Sequence, residues 1–104
     1  TLRDRRPVLT IPADAGAPDG FCADDEGNLW IALWGGRKVR CYCPSTGELL
    51  GEISVNGENI SCPSFGGADR SRLLITSGSS DLDQGALFHA QLPIQGPLPF
   101  KFRA

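Results

Sequence analysis

The chain has no methionine, one histidine, one tyrosine and two tryptophans in 104 residues. Each scarcity closes off a class of chemistry. His89 is the only histidine, and no Gly-x-Ser-x-Gly elbow is present, so a Ser-His-Asp triad has no footing. The four cysteines, Cys22, Cys41, Cys43 and Cys62, form no Cys-x-x-Cys pair and lie far in sequence from His89. The repeated close spacing of a zinc–thiolate centre is therefore missing. No Gly-x-x-x-x-Gly-Lys loop is there to cradle phosphate. Ten Lys and Arg against twelve Asp and Glu leave a net charge of −2, which argues against nucleic acid as a partner. The one basic cluster, Arg3, Arg5 and Arg6, is interrupted by Asp4 and reads as a solvated terminus. No apolar run approaches the ~20 residues that span a bilayer. No signal peptide is visible, and the expectation is a cytoplasmic protein without membrane partners. No window keeps apolar residues at helical spacing without a Gly or Pro breaking it.

What remains is a turn-rich β pattern. Glycine occurs 13 times and proline 8 times, with 40% apolar and 21% charged residues, as in one small globular domain. Apolar runs at residues 7–11, 20–24, 29–33, 38–43 and 48–55 read as strands. Turns at Asp25-Glu26-Gly27-Asn28, Gly35-Gly36 and Pro44-Ser45-Thr46-Gly47 separate them. No Cys-x-x-Cys pair or nearby histidine claims the four cysteines, so buried or half-exposed free thiols in a reducing compartment are expected.

The second half repeats this plan. Residues 21–33 overlay residues 65–77 at an offset of 44 without a gap, with Phe, the turn Asp, Leu and Ile coinciding. Val39-Arg40-Cys41-Tyr42 then matches Leu87-Phe88-His89-Ala90 after a longer loop. A period of about 40–50 residues carrying four short strands is the signature of a propeller blade, whereas a sandwich has no reason to repeat at that spacing. The expectation is an all-β chain of antiparallel four-stranded blades, the first over residues 7–55 and the second over 56–102. Two blades leave two apolar faces open. The chain is therefore expected to form a homo-oligomer, or to complement the remainder of a longer propeller of which it is a piece.

Asp19, in Pro18-Asp19-Gly20, has two readings. Asp before Gly suits a turn, because Asp tolerates unusual dihedrals and bonds its own backbone. It is also a hard oxygen ligand for a divalent cation, and a candidate general base. At the offset of 44 its counterpart is Pro63, so the carboxylate is no part of the repeated plan. Asn59 and Ser61, near the matching edge of the second blade, are candidates to line a pocket and bind a sugar hydroxyl. Trp34 is a candidate wall of that pocket. His89 reads as a surface or half-buried residue, and Asp24, Asp25 and Glu26 as a solvated acidic turn.

A family likeness is carried by Pro18-Asp19-Gly20-Phe21-Cys22, Glu26-Gly27-Asn28-Leu29-Trp30-Ile31-Ala32, Trp34-Gly35-Gly36, Ser61-Cys62 and Phe65-Gly66-Gly67. The strand Leu74-Ile75-Thr76-Ser77 and the closing segment from Gly85 to Pro99 add to it. Together these resemble the C-terminal third of the SMP-30/regucalcin/gluconolactonase family, over roughly residues 7–102. The resemblance implies a six-bladed propeller that hydrolyses sugar lactones around one divalent cation (Ca²⁺, Zn²⁺, Mn²⁺ or Mg²⁺). It implies a metal site of one Glu, two Asn and one Asp from different blades. Only the Asp maps onto this chain, at Asp19, as ligand and base. The alternative expectation is a non-catalytic oligomerising or binding module made of propeller blades.

Overall fold

A computed structural model describes residues 2–81 and 83–99. The end of the second expected blade, residues 100–102, lies outside these. Seven strands follow one short 3₁₀ turn, Ala13–Ala15: β1 Ala17–Ala23, β2 Leu29–Trp34, β3 Lys38–Tyr42, β4 Leu49–Ser54, β5 Asn59–Gly66, β6 Arg72–Gly78 and β7 Leu87–Gln91. All pairings are antiparallel. β1 to β4 pair in chain order as one four-stranded unit, and β5 to β7 as a second. A single bridge, Trp34 with Asn59, links the two. The second unit has three strands among the described residues rather than the four expected. The chain after β7 does not return alongside it. It runs back along the end of the sheet instead: Leu92 N–H donates to the Ser71 carbonyl, Gly96 N–H to that of Arg70, and Asp25 N–H to that of Gln95.

Residues 7–11 are not a strand. Pro7 and Pro12 offer no N–H to a ladder, and the segment lies as irregular chain with Leu9 and Ile11 packed beside Ile31, Leu33 and Tyr42. The close of this layer depends on Gly36, where a Cβ would sit 2.2 Å from the Ala15 carbonyl oxygen.

The core lies between the two units. β2 alternates, as a strand must. Ile31 and Leu33 face the N-terminal segment, while Trp30 and Ala32 face the second unit. There Ala32 and Val39 meet Ile60, Leu73 and Ile75, all almost fully buried. Trp30 meets Phe65 edge to face, with centroids 6.1 Å apart and rings at 89°. This is the favoured aromatic geometry.

One acidic residue organises the far end of the first unit. The run Asp24-Asp25-Glu26 does not form a uniformly solvated turn, because Asp24 is only 4% exposed. Its Oδ1 accepts the Glu26 and Asn28 backbone N–H groups at 2.9 and 3.0 Å, and its Oδ2 accepts Trp30 Nε1–H at 3.0 Å. A buried carboxylate is tolerable because donors replace its water. Asp25 and Glu26 are exposed, as expected.

Candidate functional site

The residues singled out from sequence gather at the opposite end of the sheet, where β1 and β5 begin and β2 and β6 end. Ala17 pairs with Trp34 and Pro18 with Leu33, but Phe21 pairs with Ile31, so Asp19 and Gly20 together oppose Ala32. This is a β-bulge, which bends a strand and re-aims a side chain. β5 repeats it. Asn59 pairs with Gly78 and Ile60 with Ser77, then Cys62 pairs with Thr76, leaving Ser61 as the extra residue. Strand pairing thus corrects the ungapped overlay. The counterpart of Asp19 is Ser61, not Pro63, and Pro63 answers to Phe21. The β5–β6 hairpin is two residues longer than the β1–β2 hairpin, through the extra pair Gly66 with Arg72, which a fixed offset cannot show.

The two bulged strands lie against each other. A Cβ on Gly20 would fall 2.6 Å from the Ser61 carbonyl oxygen and 2.8 Å from Cys62 Cβ, so only glycine admits this approach. Asp19 is exposed. Among the described residues its carboxylate has no hydrogen-bond or ion-pair partner, and it makes no bond to its own backbone of the kind a turn Asp makes. It lines an open apolar groove of about 370 Å³ between residues 8–11 and the Pro18, Phe21 and Ile31 side of the first unit.

The other candidates are held more firmly. Trp34 is 41% exposed and lies over Gly78, where a Cβ would come within 2.5 Å of its ring. Asn59 Nδ2–H donates to the Ser79 carbonyl at 3.4 Å. Thr76 Oγ1–H donates to the Cys62 carbonyl at 3.2 Å, and Ser61 and Thr76 hydroxyls are 2.8 Å apart. Thr76 has one proton and uses it on Cys62, so Ser61 donates to Thr76 and keeps its lone pairs for an incoming donor. Sequence reading missed Asp83. It belongs to this end, with Oδ2 accepting the Glu58 N–H at 3.0 Å and a buried Oδ1 that has no partner among the described residues. Its loop position gave no periodic signal. His89 is exposed on β7, away from this cluster.

All four cysteines are free. Burial, then Cys62 and Asp24, push the Cys22 thiol up to about 12, and burial and Asp24 push Cys41 up to about 11. Hydrogen bonds from Ser45 and Thr46 lower Cys43 to about 7. No group of three or more His, Cys, Asp or Glu side chains able to hold a metal occurs among the described residues. No helix there is long and apolar enough to cross a membrane.

A four-stranded antiparallel unit followed by its repeat, with bulged first strands side by side, defines blades of a β-propeller. Solved structures of this fold are similar. A luciferin-regenerating enzyme superposes with a TM-score of 0.81 at 27% identity, over 89% of this chain and 34% of that one. A calcium-binding protein, regucalcin, from Agrobacterium tumefaciens superposes with a TM-score of 0.75 at 32% identity, over 84% of this chain and 32% of that one. The family model described as "SMP-30/Gluconolactonase/LRE-like region" matches residues 1–79, and the chain belongs to that family. Danio rerio regucalcin is 42% identical over 86 residues, 83% of this chain and 29% of the relative. The Bacillus subtilis protein YvrE, whose name proposes a sugar lactone lactonase, is 35% identical over 105 residues, 90% of this chain and 36% of the relative. The chain thus spans about a third of the relatives it matches.

Proposed function

We propose that this chain is part of a sugar-lactone hydrolase, and that Asp19 is the carboxylate it brings to the reaction. The observation that carries this reading is a carboxylate re-aimed by a bulge and left without a partner among the described residues, at the end of the sheet where Trp34, Asn59 and Ser61 also lie. Placed beside a lactone, Asp19 takes a proton from the attacking water. The water oxygen bonds to the carbonyl carbon, the ring C–O bond breaks, and the proton passes to the ring oxygen to give the hydroxy acid. Ser61, held as an acceptor by Thr76, receives a sugar hydroxyl, and Trp34 walls the ring.

Family membership, and the calcium-binding relative, support a divalent cation for the complete fold. The described residues of one chain do not fit that cation. Ca²⁺ takes six to eight oxygens, and Asp19 stands without two further acidic or imidazole neighbours. A second and third charged ligand beside Asp19 are thus missing among the described residues.

The test is gluconolactone hydrolysis, followed by acid release, for the chain and for Asp19→Asn, with and without Ca²⁺, Mn²⁺ or Zn²⁺. Loss of a general base lowers the rate by about 10²–10⁴. A rate unchanged in Asp19→Asn overturns the assignment.

A further inference from the structure

We propose that the cleft between the ends of β1 and β5 and the returning C-terminal chain binds a small organic carboxylate with an apolar tail, its charged head held by Arg70. This site lies at the other end of those strands from Asp19 and does not depend on the lactone reading.

The cleft has a volume of about 320 Å³, at the low end of the range that holds a small molecule. Cys22 of β1, Ser64 and Phe65 of β5, and Pro97 and Pro99 of the returning chain line it. Most of that lining is carbon. Burial pushes the Cys22 thiol up to about 12, so at neutral pH it is an uncharged, weakly polar group. Phe65 is fixed from two sides. It meets Trp30 edge to face, and it lies against Gly96, where any Cβ would collide with the Phe65 side chain. A wall already held in place takes a hydrocarbon tail with little ordering cost.

One charge belongs to this lining. Arg70 is half-buried, and its Nε–H donates to the Gly96 carbonyl at 3.1 Å. Gly96 N–H returns a bond to the Arg70 carbonyl at 2.8 Å. The residue is thus clasped to the returning chain at both its backbone and its Nε. Among the described residues its two Nη groups have no hydrogen-bond or ion-pair partner. The nearest acids are committed elsewhere. Asp69 feels the Arg70 charge but gives its Oδ1 to the Ser71 N–H and hydroxyl, and it forms no ion pair with Arg70. Asp24 gives both oxygens to Glu26, Asn28 and Trp30. The free end of a guanidinium is a planar fork that matches a carboxylate with two parallel bonds. A phosphate or sulfate would pair with it but leave the Phe65 and proline surface unused. A neutral hydrocarbon would cover that surface and leave the charge unpaired. A carboxylate with an apolar tail satisfies both.

Sodium hexanoate is the probe. It is titrated at constant ionic strength into the isotope-labelled 104-residue chain, with backbone amide shifts read by NMR. Saturable shifts are expected at Cys22, Phe65 and Gly96, with Asn59 and Ser61 at the other end unmoved. Hexanamide has the same shape without the charge and should bind about tenfold more weakly or worse. Arg70→Gln should weaken hexanoate to a similar degree. That change also frees the Gly96 carbonyl, so a second variant leaves Arg70 in place. Ser64 is exposed, and Ser64→Trp fills the cleft with a side chain; it should abolish the hexanoate shifts while the Gly96 amide keeps its own position in the free chain. No saturable shift in the wild type, or shifts centred away from these residues, overturns the site. Hexanamide binding as well as hexanoate, or undiminished affinity in Arg70→Gln, overturns the role of Arg70 and with it the carboxylate class. Undiminished affinity in Ser64→Trp overturns the cleft as the place of binding.

Discussion

Replacing Asp24 should unfold the first blade from its closed end. Three N–H donors converge on this carboxylate, from Glu26, Asn28 and Trp30, at 2.9 to 3.0 Å. A hydrogen bond to a charged group contributes about 1.5–3 kcal/mol. Water can reach the two turn N–H groups once the carboxylate is gone, whereas the indole is held against Phe65 in the seam. Asp24→Ala should therefore cost about 3–5 kcal/mol, less than three full bonds. Asp24→Asn separates the parts. Its one oxygen can still serve both turn N–H groups, but its amide then faces the Trp30 N–H, donor against donor. That change should cost about 1.5–3 kcal/mol. At a urea slope of about 1.5 kcal/mol/M, the midpoint falls by about 1–2 M. The assay is urea unfolding followed by circular dichroism at one chain concentration, since association would shift the midpoint. Trp30→Phe keeps the ring and removes the donor, so Asp24→Asn in that background should lose most of its effect. A double-mutant cycle with no coupling, or Asp24→Ala within about 0.5 kcal/mol of wild type, would refute the role of the carboxylate.

Other outcomes follow from the same geometry. Gly20→Ala forces a methyl group onto the Ser61 carbonyl, and should destabilise the chain by about 1–3 kcal/mol and part the two bulges; denaturation midpoints check it. Gly36→Ala meets the Ala15 carbonyl in the same way, and should in addition release the N-terminal segment to proteolysis. Cys43, lowered to about 7, should be the first thiol alkylated by iodoacetamide at neutral pH, with Cys41 and Cys22 reacting only on unfolding; peptide mass mapping reads the order. The raised pair also sets an alkaline limit. A thiol harder to ionise when folded stabilises fully below its unfolded value of 9.0, and that contribution is lost as pH climbs toward about 11 and 12. Melting temperature should fall across this range, and fall less in Cys22→Ala relative to its own neutral-pH value.

The strands after residue 16 were legible because turn chemistry and apolar runs agree there. Gly27, Gly35 and Gly47 all take positive φ, as turn residues should, and the runs between them are the strands. Residues 7–11 carry the same composition but are bracketed by prolines, and backbone hydrogen bonding overrode their β propensity. The repeat was visible, and its register holds for β2 with β6 and for β3 with β7, but not for β1 with β5. A hairpin longer by one strand pair is silent in an ungapped overlay and shows only in which residues pair. The role of Asp24 was hidden for a different reason. Three adjacent acids look alike in sequence, and only burial tells the one that bonds Trp30 from the two that meet water. The gathering of Trp34, Asn59 and Ser61 could be read from strand ends, because successive blades bring the same ends together.

Corrected register gives Asp19 a sharper meaning than composition could. A regular strand alternates its side chains between two packed faces, and neither face of a blade suits a bare carboxylate. The bulge removes residue 19 from that alternation, and Gly20 lets β5 press close behind it. The second blade has the same bulge and fills it with Ser61, whose proton is already committed to Thr76. The scaffold thus offers one unpaired position per first strand, and side-chain choice sets its chemistry: an anion in one blade, a neutral acceptor in the next. Both are acceptors, and the function proposed above pairs them with ligands rich in donors or positive charge, which polyols and cations are. A lone exposed carboxylate holds a cation weakly, since each ligand lost leaves more of the ion's hydration to be replaced. On the function proposed above, Asp19 therefore needs further oxygen ligands beside it before it can hold a cation.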